Sequence, residues 1–246
     1  MNPEEYANLE RVEAEHWYYR GKREIVLWWM RATGRVDASA RLADCGAGTG
    51  AFACEMSRVC RVTAVDDHRE SLEVLRRRDG IQEVLDGSCT RLPMDDNTYD
   101  FVTALDVLEH IEDDAQAFRE LLRVTKPGGI VLITVPALMS LWSDWDVSLR
   151  HFRRYDRAGL KALVSGGSAE LLHLNYMNFP AFPAVWLVRK LRRWMPAGPA
   201  AGRSEDRIPP RLLNRLLKCI FVQASCQRWI RWPFGVGLLA VLRKSP

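Results

Sequence analysis

From residue 40 onward, short apolar runs alternate with longer, charge-rich stretches. Uninterrupted apolar runs mark strands buried on both faces, and the stretches between them supply the covering helices. The runs predict strands near 40–45, 61–66, 82–86, 99–105, 129–135, 169–176 and 235–243. Helices are predicted near 50–59, 69–78, 113–124 and 156–165. Asp113-Asp114 ahead of Ala117, Leu121, Leu122 and Val124 is a helix start followed by helical spacing, and Pro127-Gly128-Gly129 stops that helix before the apolar run Ile130 to Val135. The expected class is α/β, with seven mostly parallel strands and helices on both faces. Upstream, Trp28 and Trp29 read as the packed side of an amphipathic helix pair. His16, Trp17, Tyr19 and Arg20 mix imidazole, aromatic and guanidinium groups, which suits a lid over a substrate as well as it suits packing.

The first strand runs into Asp44-Cys45-Gly46-Ala47-Gly48-Thr49-Gly50. Glycines at alternate positions remove the Cβ atoms that would block a ligand, and they let it meet backbone amides. The spacing is G-x-G-x-G with an acid in front, which argues against a dinucleotide pyrophosphate. The second strand ends at Asp66, about twenty residues after the first glycine, where an acid can accept hydrogen bonds from ribose hydroxyls. Asp67 is the adjacent, more solvated competitor. After the fourth strand, Asp106, Glu109 and His110 stand at i, i+3 and i+4, one face of a helical turn. That spacing can serve a divalent ion, but local hydrogen bonding is the reading taken, and no metal is expected. Past the fifth strand lie Trp142 and the segment His151-Phe152-Arg153-Arg154-Tyr155. His151 is the first candidate for a general base, His110 the second, because an imidazole with a pKa of about 6.5 suits proton transfer near neutrality. Arg153 and Arg154 suit a substrate anion, with Trp142 and Tyr155 beside them; pairing with Asp144, Asp146 or Asp156 to order the loop is the alternative.

With these residues the chain resembles class I S-adenosylmethionine-dependent methyltransferases of the bacterial type 11/12-like group, whose first motif has the D-x-G-x-G-x-G form. Leu92-Pro93-Met94 and Asn97-Thr98-Tyr99-Asp100 resemble the family's L-P-F and D-x-x-F/Y-D segments. The resemblance implies a Rossmann-like sheet with an antiparallel last strand, and S-adenosylmethionine as cofactor with S-adenosylhomocysteine as product. It places Asp44, Gly46, Ala47, Gly48 and Gly50 in the first motif, Asp66 on the ribose, Ser88 and Cys89 at the adenine, and Asp106 near the methionine end, where it joins His151 and His110 as a catalytic candidate. Ser88 stands where the family usually has Asp, so its bond to adenine is expected to be weaker than a carboxylate's. The His16 cluster and the His151 segment resemble a bacterial subgroup associated with cell-surface glycan or lipid pathways. The implied activity is methyl transfer to a small-molecule or lipid-linked acceptor, at oxygen. A cofactor-binding scaffold without catalysis and an RNA methyltransferase are the alternatives.

Composition narrows the partners. The chain has 246 residues, 48% of them hydrophobic, enough for one domain with an insertion. The expected division is an N-terminal helical cap at 1–39, a core at 40–177 and 234–246, and a basic helical insertion at 178–233. Six cysteines without a C-x-x-C pair suggest neither a zinc ribbon nor a disulfide framework, and the N-terminus lacks the apolar core of a secretory signal. The net charge of +4 hides an asymmetry: residues 178–233 hold eleven Lys or Arg against Glu205 and Asp206, a local +9 that leaves −5 elsewhere. Val185 to Trp194 and Arg211 to Lys218 read as basic amphipathic helices, accompanied by Trp186, Trp194, Trp229 and Trp232. Residues 185–232 are thus expected to meet an anionic membrane surface, a solvated face and a homodimer interface being the alternatives. Nucleic acid is disfavoured by the acidic remainder. The expected location is cytoplasmic, with peripheral attachment to the inner membrane face.

Overall fold

A computed structural model describes residues 10–192 and 207–246. Seven strands form one sheet: β1 (Arg41–Cys45), β2 (Arg61–Asp66), β3 (Glu83–Asp86), β4 (Tyr99–Leu105), β5 (Thr125–Pro136), β6 (Ala169–Met177) and β7 (Gly237–Lys244), in the order β3-β2-β1-β4-β5-β7-β6. Only β7 runs against its neighbours, pairing antiparallel with both β5 and β6. Strand order reverses between β1 and β4, so the crevice for a ligand opens at the carboxyl ends of those strands.

The helices are α1 (Trp17–Thr33), α2 (Ala51–Met56), α3 (Arg69–Leu75), α4 (Asp114–Val124), α5 (Asp144–Ser148), α6 (Arg157–Val164), α7 (Phe182–Arg192) and α8 (Arg211–Ser225). Alternate strand residues feed two cores. Ala43, Val102, Ala104, Val131 and Ile133 meet Phe118 and Leu121 of α4 and Leu160 of α6 on one face. Leu42, Val62, Ala64, Phe101 and Leu132 meet Ile25 and Met30 of α1, Phe52 of α2 and Phe221 of α8 on the other. Each such Val, Leu, Ile, Met or Phe side chain contributes about 1.5–3 kcal/mol by leaving water. The predicted α/β class, with helices on both faces and an antiparallel last strand, is the observed one.

Two local expectations change. The Pro127-Gly128-Gly129 stop lies within β5, where the pairing slips between Tyr99 and Phe101, and Gly128 takes a positive φ of 78°. Residues 144–148 form a helix that the pattern did not announce: its Ser143 cap and Asp146 exchange hydrogen bonds as a capping box.

α1 is held down by α8. A Cβ on Gly21 would stand 2.6 Å from a ring carbon of Phe221, so only glycine permits the two helices to approach this closely. Phe221 stacks on Tyr18 at 5.5 Å and meets Trp17 edge-on at 5.7 Å. The expected insertion helix ending at Trp194 is described only to Arg192; Arg193, Trp194 and Arg203 lie outside the described residues, as do residues 1–9 of the expected cap.

Candidate cofactor and acceptor site

The glycine turn between β1 and α2 is shaped by three left-handed glycines, Gly46 (φ 72°), Gly48 (φ 55°) and Gly50 (φ 77°). They are glycine for different reasons. A Cβ on Gly46 would strike Val107 at 2.5 Å and one on Gly50 would strike Leu75 at 2.6 Å, whereas one on Gly48 would meet nothing within 4 Å. Gly48 therefore faces open space.

Four amides of this turn, those of Gly46, Ala47, Gly48 and Gly50, are spent inside the protein, which corrects the expectation that they greet the ligand. Gly46 and Ala47 donate to the Val65 carbonyl at 2.8 and 3.0 Å, and Gly50 donates to that of Ala47 at 2.9 Å. Gly48 donates to Asp66 Oδ2 at 2.8 Å. A turn with these donors occupied has few to offer a phosphate, which fits a nucleoside ligand that carries none.

Acids gather around the turn. Asp44 is buried and accepts from Thr103 Oγ1 at 2.8 Å. Burial, outweighing the Thr103 hydrogen bond and reinforced by the charges of Asp66 and Glu13, pushes its carboxyl up to about 7. Asp66, also buried, accepts from the His68 amide at 2.9 Å through its other oxygen. Both Asp66 oxygens thus serve backbone amides, each keeping a second lone pair for a ribose hydroxyl. Asp67 is exposed, as its place past the strand end predicts. Glu13, from the helical residues 10–15, accepts from Thr49 Oγ1 and closes the turn from above. At the end of β3, Ser88 Oγ lies 3.0 Å from Thr90 Oγ1, and Cys89 is buried beside it.

Asp106 follows β4 in a left-handed conformation (φ 56°), an uncommon geometry for a residue with a side chain. It forms an ion pair with the buried Lys22 of α1, is itself half-buried, and accepts from Thr134 Oγ1 at 2.8 Å. Burial works to raise its carboxyl, but the Lys22 charge and these hydrogen bonds outweigh burial and hold it below the usual range. A carboxylate so stabilised is a poor proton acceptor, so Asp106 is placed as an anchor for α1 rather than as a base.

The loop after β5 assembles differently from its sequence neighbours. Asp146 of α5 is fully buried and accepts from Ser143 N at 2.9 Å, from Arg154 Nε at 2.7 Å and from His151 Nδ1 at 3.0 Å. Burial would raise its pKa; the hydrogen bonds from His151 and Arg154 reverse that and hold it well below the carboxylate range. The carboxylate can only accept, so this network assigns a proton to Nδ1 of His151 and turns Nε2 away from Asp146. The ring of His151 meets that of His110 edge-on, with centroids 4.5 Å apart, and Glu109 lies alongside.

The remaining candidates divide. Arg154, expected to clamp a substrate anion, is buried between Asp146 and the Ala137 carbonyl, which is the loop-ordering alternative. Arg153 pairs with Asp114 at 2.9 Å, and Tyr155 donates to the same Asp114 at 2.7 Å. Trp142 is half-buried after the Met139–Leu141 turn. His16 caps α1, its Nδ1 accepting from the Tyr18 amide at 3.3 Å, and Trp17 donates its amide to Asn214 Oδ1 of α8. Tyr19 packs against Tyr18 and His16, and Arg20 is exposed. Glu13 and Lys22 escaped the sequence reading. Nothing in their spacing marks them, because both reach the site only when α1 and the helical residues 10–15 before it pack against the sheet.

This fold, with an acid ahead of an open glycine turn and another at the end of β2, is the Rossmann-like fold of methyltransferases. Residues 43–133 match the methyltransferase-domain family, which agrees with the resemblance to class I S-adenosylmethionine-dependent methyltransferases and with S-adenosylmethionine as the cofactor. It is 36% identical over 161 residues to a demethylmenaquinone methyltransferase of Clavibacter sepedonicus, an alignment covering 62% of this chain and 63% of that protein. It is 36% identical over 141 residues to a malonyl-[acyl-carrier protein] O-methyltransferase of Serratia marcescens, covering 49% and 55%. The chain thus spans less than two thirds of these relatives' length. A methyltransferase structure from Thermotoga maritima shares the fold with a TM-score of 0.64 at 17% identity, covering 98% of this chain and 96% of that one.

Proposed function

We propose that this protein transfers a methyl group from S-adenosylmethionine to an oxygen of a small or lipid-linked acceptor. The observation that carries this reading is the turn at Gly48: open to a ligand, with the amides of Gly46, Ala47, Gly48 and Gly50 occupied and three carboxyl groups, Asp44, Asp66 and Glu13, around it. Such a site rejects a polyphosphate and favours a cationic nucleoside. When bound, the cofactor supplies a methyl group on a positively charged sulfur, which keeps the C–S bonding pair and becomes a neutral thioether as the acceptor oxygen forms the new O–C bond. Asp66 would hold the ribose, Asp44 the positive end, and Ser88 with Cys89 the adenine edge. His151 Nε2, oriented through Nδ1 by Asp146, would take the acceptor's proton.

Exposed apolar residues favour a lipid-side acceptor. Leu212, Leu216 and Ile220 of α8, spaced i, i+4, i+8, are 86, 57 and 40% exposed, and Trp229 is 92% exposed. Leu187 and Leu191 of α7 are also exposed. A helix that merely covers the core turns such residues inward. Lys190, Arg211 and Arg215 are exposed on the same two helices, and an anionic lipid surface complements both features. Arg189 is not among these cations: it is buried and donates to the Leu141 carbonyl. Among the described residues no helix is long and apolar enough to cross a membrane, so contact would be peripheral.

Two experiments test these readings. Incubation with methyl-labelled S-adenosylmethionine and either a polar-lipid extract or a panel of soluble phenols and carboxylic acids should release S-adenosylhomocysteine with one of them. Tight cofactor binding without turnover on any acceptor would favour the scaffold alternative. In liposome flotation, phosphatidylglycerol vesicles should capture the protein, and Leu212→Ser with Leu216→Ser and Trp229→Ser should release it. Equal capture by neutral vesicles, or a stable dimer abolished by the same substitutions, would overturn the lipid reading.

A further inference from the structure

Glu109 and His110 sit in the short turn after β4, and His151 comes from the loop beyond α5, yet one donor atom of each lies within 4.8 Å of the other two. The Phe152 amide donates to the Glu109 carbonyl at 2.8 Å, which fastens the two segments together. Glu109 is 1% exposed, and its Oε2 has no hydrogen-bond partner among the described residues. A buried carboxyl oxygen with no donor is costly and rare in a native interior. The local backbone hydrogen bonds expected from the sequence do not satisfy it. Asp106, the third member of the sequence face, is already taken by Lys22. The structure replaces it with His151, 41 residues beyond His110.

We propose that Glu109, His110 and His151 form a binding site for a divalent first-row transition ion. Two imidazoles and one carboxylate suit Mn²⁺, Fe²⁺, Co²⁺ or Zn²⁺ better than Ca²⁺ or Mg²⁺, which prefer oxygen alone. Donors around one such ion stand about 3.4 Å apart, from bonds of about 2.1 Å. The present spread therefore closes with an adjustment of an ångström or so. Asp146 completes the arrangement from behind: a metal-bound imidazole characteristically gives its other N–H to a carboxylate, and His151 Nδ1 meets Asp146 Oδ1 at 3.0 Å. Three protein ligands leave coordination positions open. The site stands on these residues alone, but its use rests on the methyltransferase reading. There the ion would hold the acceptor oxygen and weaken its O–H bond, and His151 Nε2 would be a ligand instead of the base.

The test uses the full chain stripped of metal by a chelator and titrated with Co²⁺, whose visible d–d absorption reports bound ion. One equivalent should bind and be displaced by Zn²⁺. Glu109→Gln and His110→Ala should each weaken binding by roughly 100-fold, and Asp146→Asn by about 10–100-fold. His110 is exposed, so its variant keeps the test decisive if Glu109→Gln fails to fold. No d–d band on the wild-type protein, or a band that survives both His110→Ala and Glu109→Gln, would overturn the proposal. Calorimetry with S-adenosylmethionine on the same metal-free samples separates the two readings. Cofactor binding without Co²⁺ binding removes only the ion site, and Co²⁺ binding without cofactor binding removes only the methyltransferase role.

Discussion

Asp146 accepts the Nδ1 proton of His151 at 3.0 Å from a position with no solvent exposure. The pair is five residues apart in sequence, and α5 with the turn after it brings the two side chains face to face. The same carboxylate receives Arg154 Nε at 2.7 Å, so three groups lock the loop that carries the imidazole.

Asp146→Asn removes the charge facing His151 Nδ1 and leaves one oxygen where the carboxylate uses Oδ1 for His151 and Arg154 and Oδ2 for the Ser143 amide. In ¹⁵N NMR of the metal-free protein, wild-type His151 should show a single Nδ1-protonated tautomer, and the variant a mixture. Turnover with an accepted substrate should fall by about 10²–10⁴-fold, the range of a lost general-base contribution. An unchanged tautomer would show that Asp146 serves the loop alone.

Asp66 is the predicted ribose ligand. Charge-assisted hydrogen bonds contribute about 1.5–3 kcal/mol, so Asp66→Ala should raise the dissociation constant for S-adenosylmethionine by about ten- to a hundredfold in calorimetry. Asp67→Ala, at the exposed neighbour, should leave it within twofold. Equal effects at both positions would misplace the ribose.

Asp44, raised to about 7 by burial, gives the cofactor site a pH dependence whose sign follows from the shift. The free protein holds a proton there below pH 7, and a cationic ligand prefers the carboxylate. Binding must then expel the proton, so affinity should rise with pH up to about 7 and level off above it. Without ligand the sign for stability is the reverse. The raised folded value contributes stability that is full below the unfolded pKa near 4 and is lost as pH climbs through 7. Urea unfolding of Asp44→Asn should lack that slope. A wild-type affinity flat from pH 5.5 to 8 would contradict this account.

Gly21→Leu forces a side chain into Phe221. Overpacking of this kind costs about 1–3 kcal/mol. Because α1 carries Lys22 to Asp106, the variant should also weaken cofactor binding, while a substitution on the exposed side of α1, Arg20→Ala, should not. Differential scanning fluorimetry with and without cofactor reads both effects.

Much of this was legible in the chain. Strand positions follow from apolar runs, because a parallel sheet buried on both faces leaves no polar alternation to confuse the reading. Asp44, Gly48 and Asp66 could be placed because the turn that ends a strand is local, so sequence spacing translates directly into position. Arg154 could not be assigned: a guanidinium beside a loop reads the same whether it meets a ligand or Asp146, and only burial separates the two. The basic helices were legible as amphipathic, but which side faces outward was not, since that depends on where α1 and the sheet lie.

The sequence by itself determined the class of fold, the glycine turn and the acids at the ends of β1 and β2, all set by contacts within a strand and the turn that follows it. Only the tertiary structure decided what stands opposite them. Lys22 reaches Asp106 across 84 residues, and Glu109 and His110 meet His151 across a loop. Asn214 of α8 holds the start of α1 from 197 residues away. Such pairings depend on how the helices close over the sheet, a consequence of the whole packed core that no local spacing encodes.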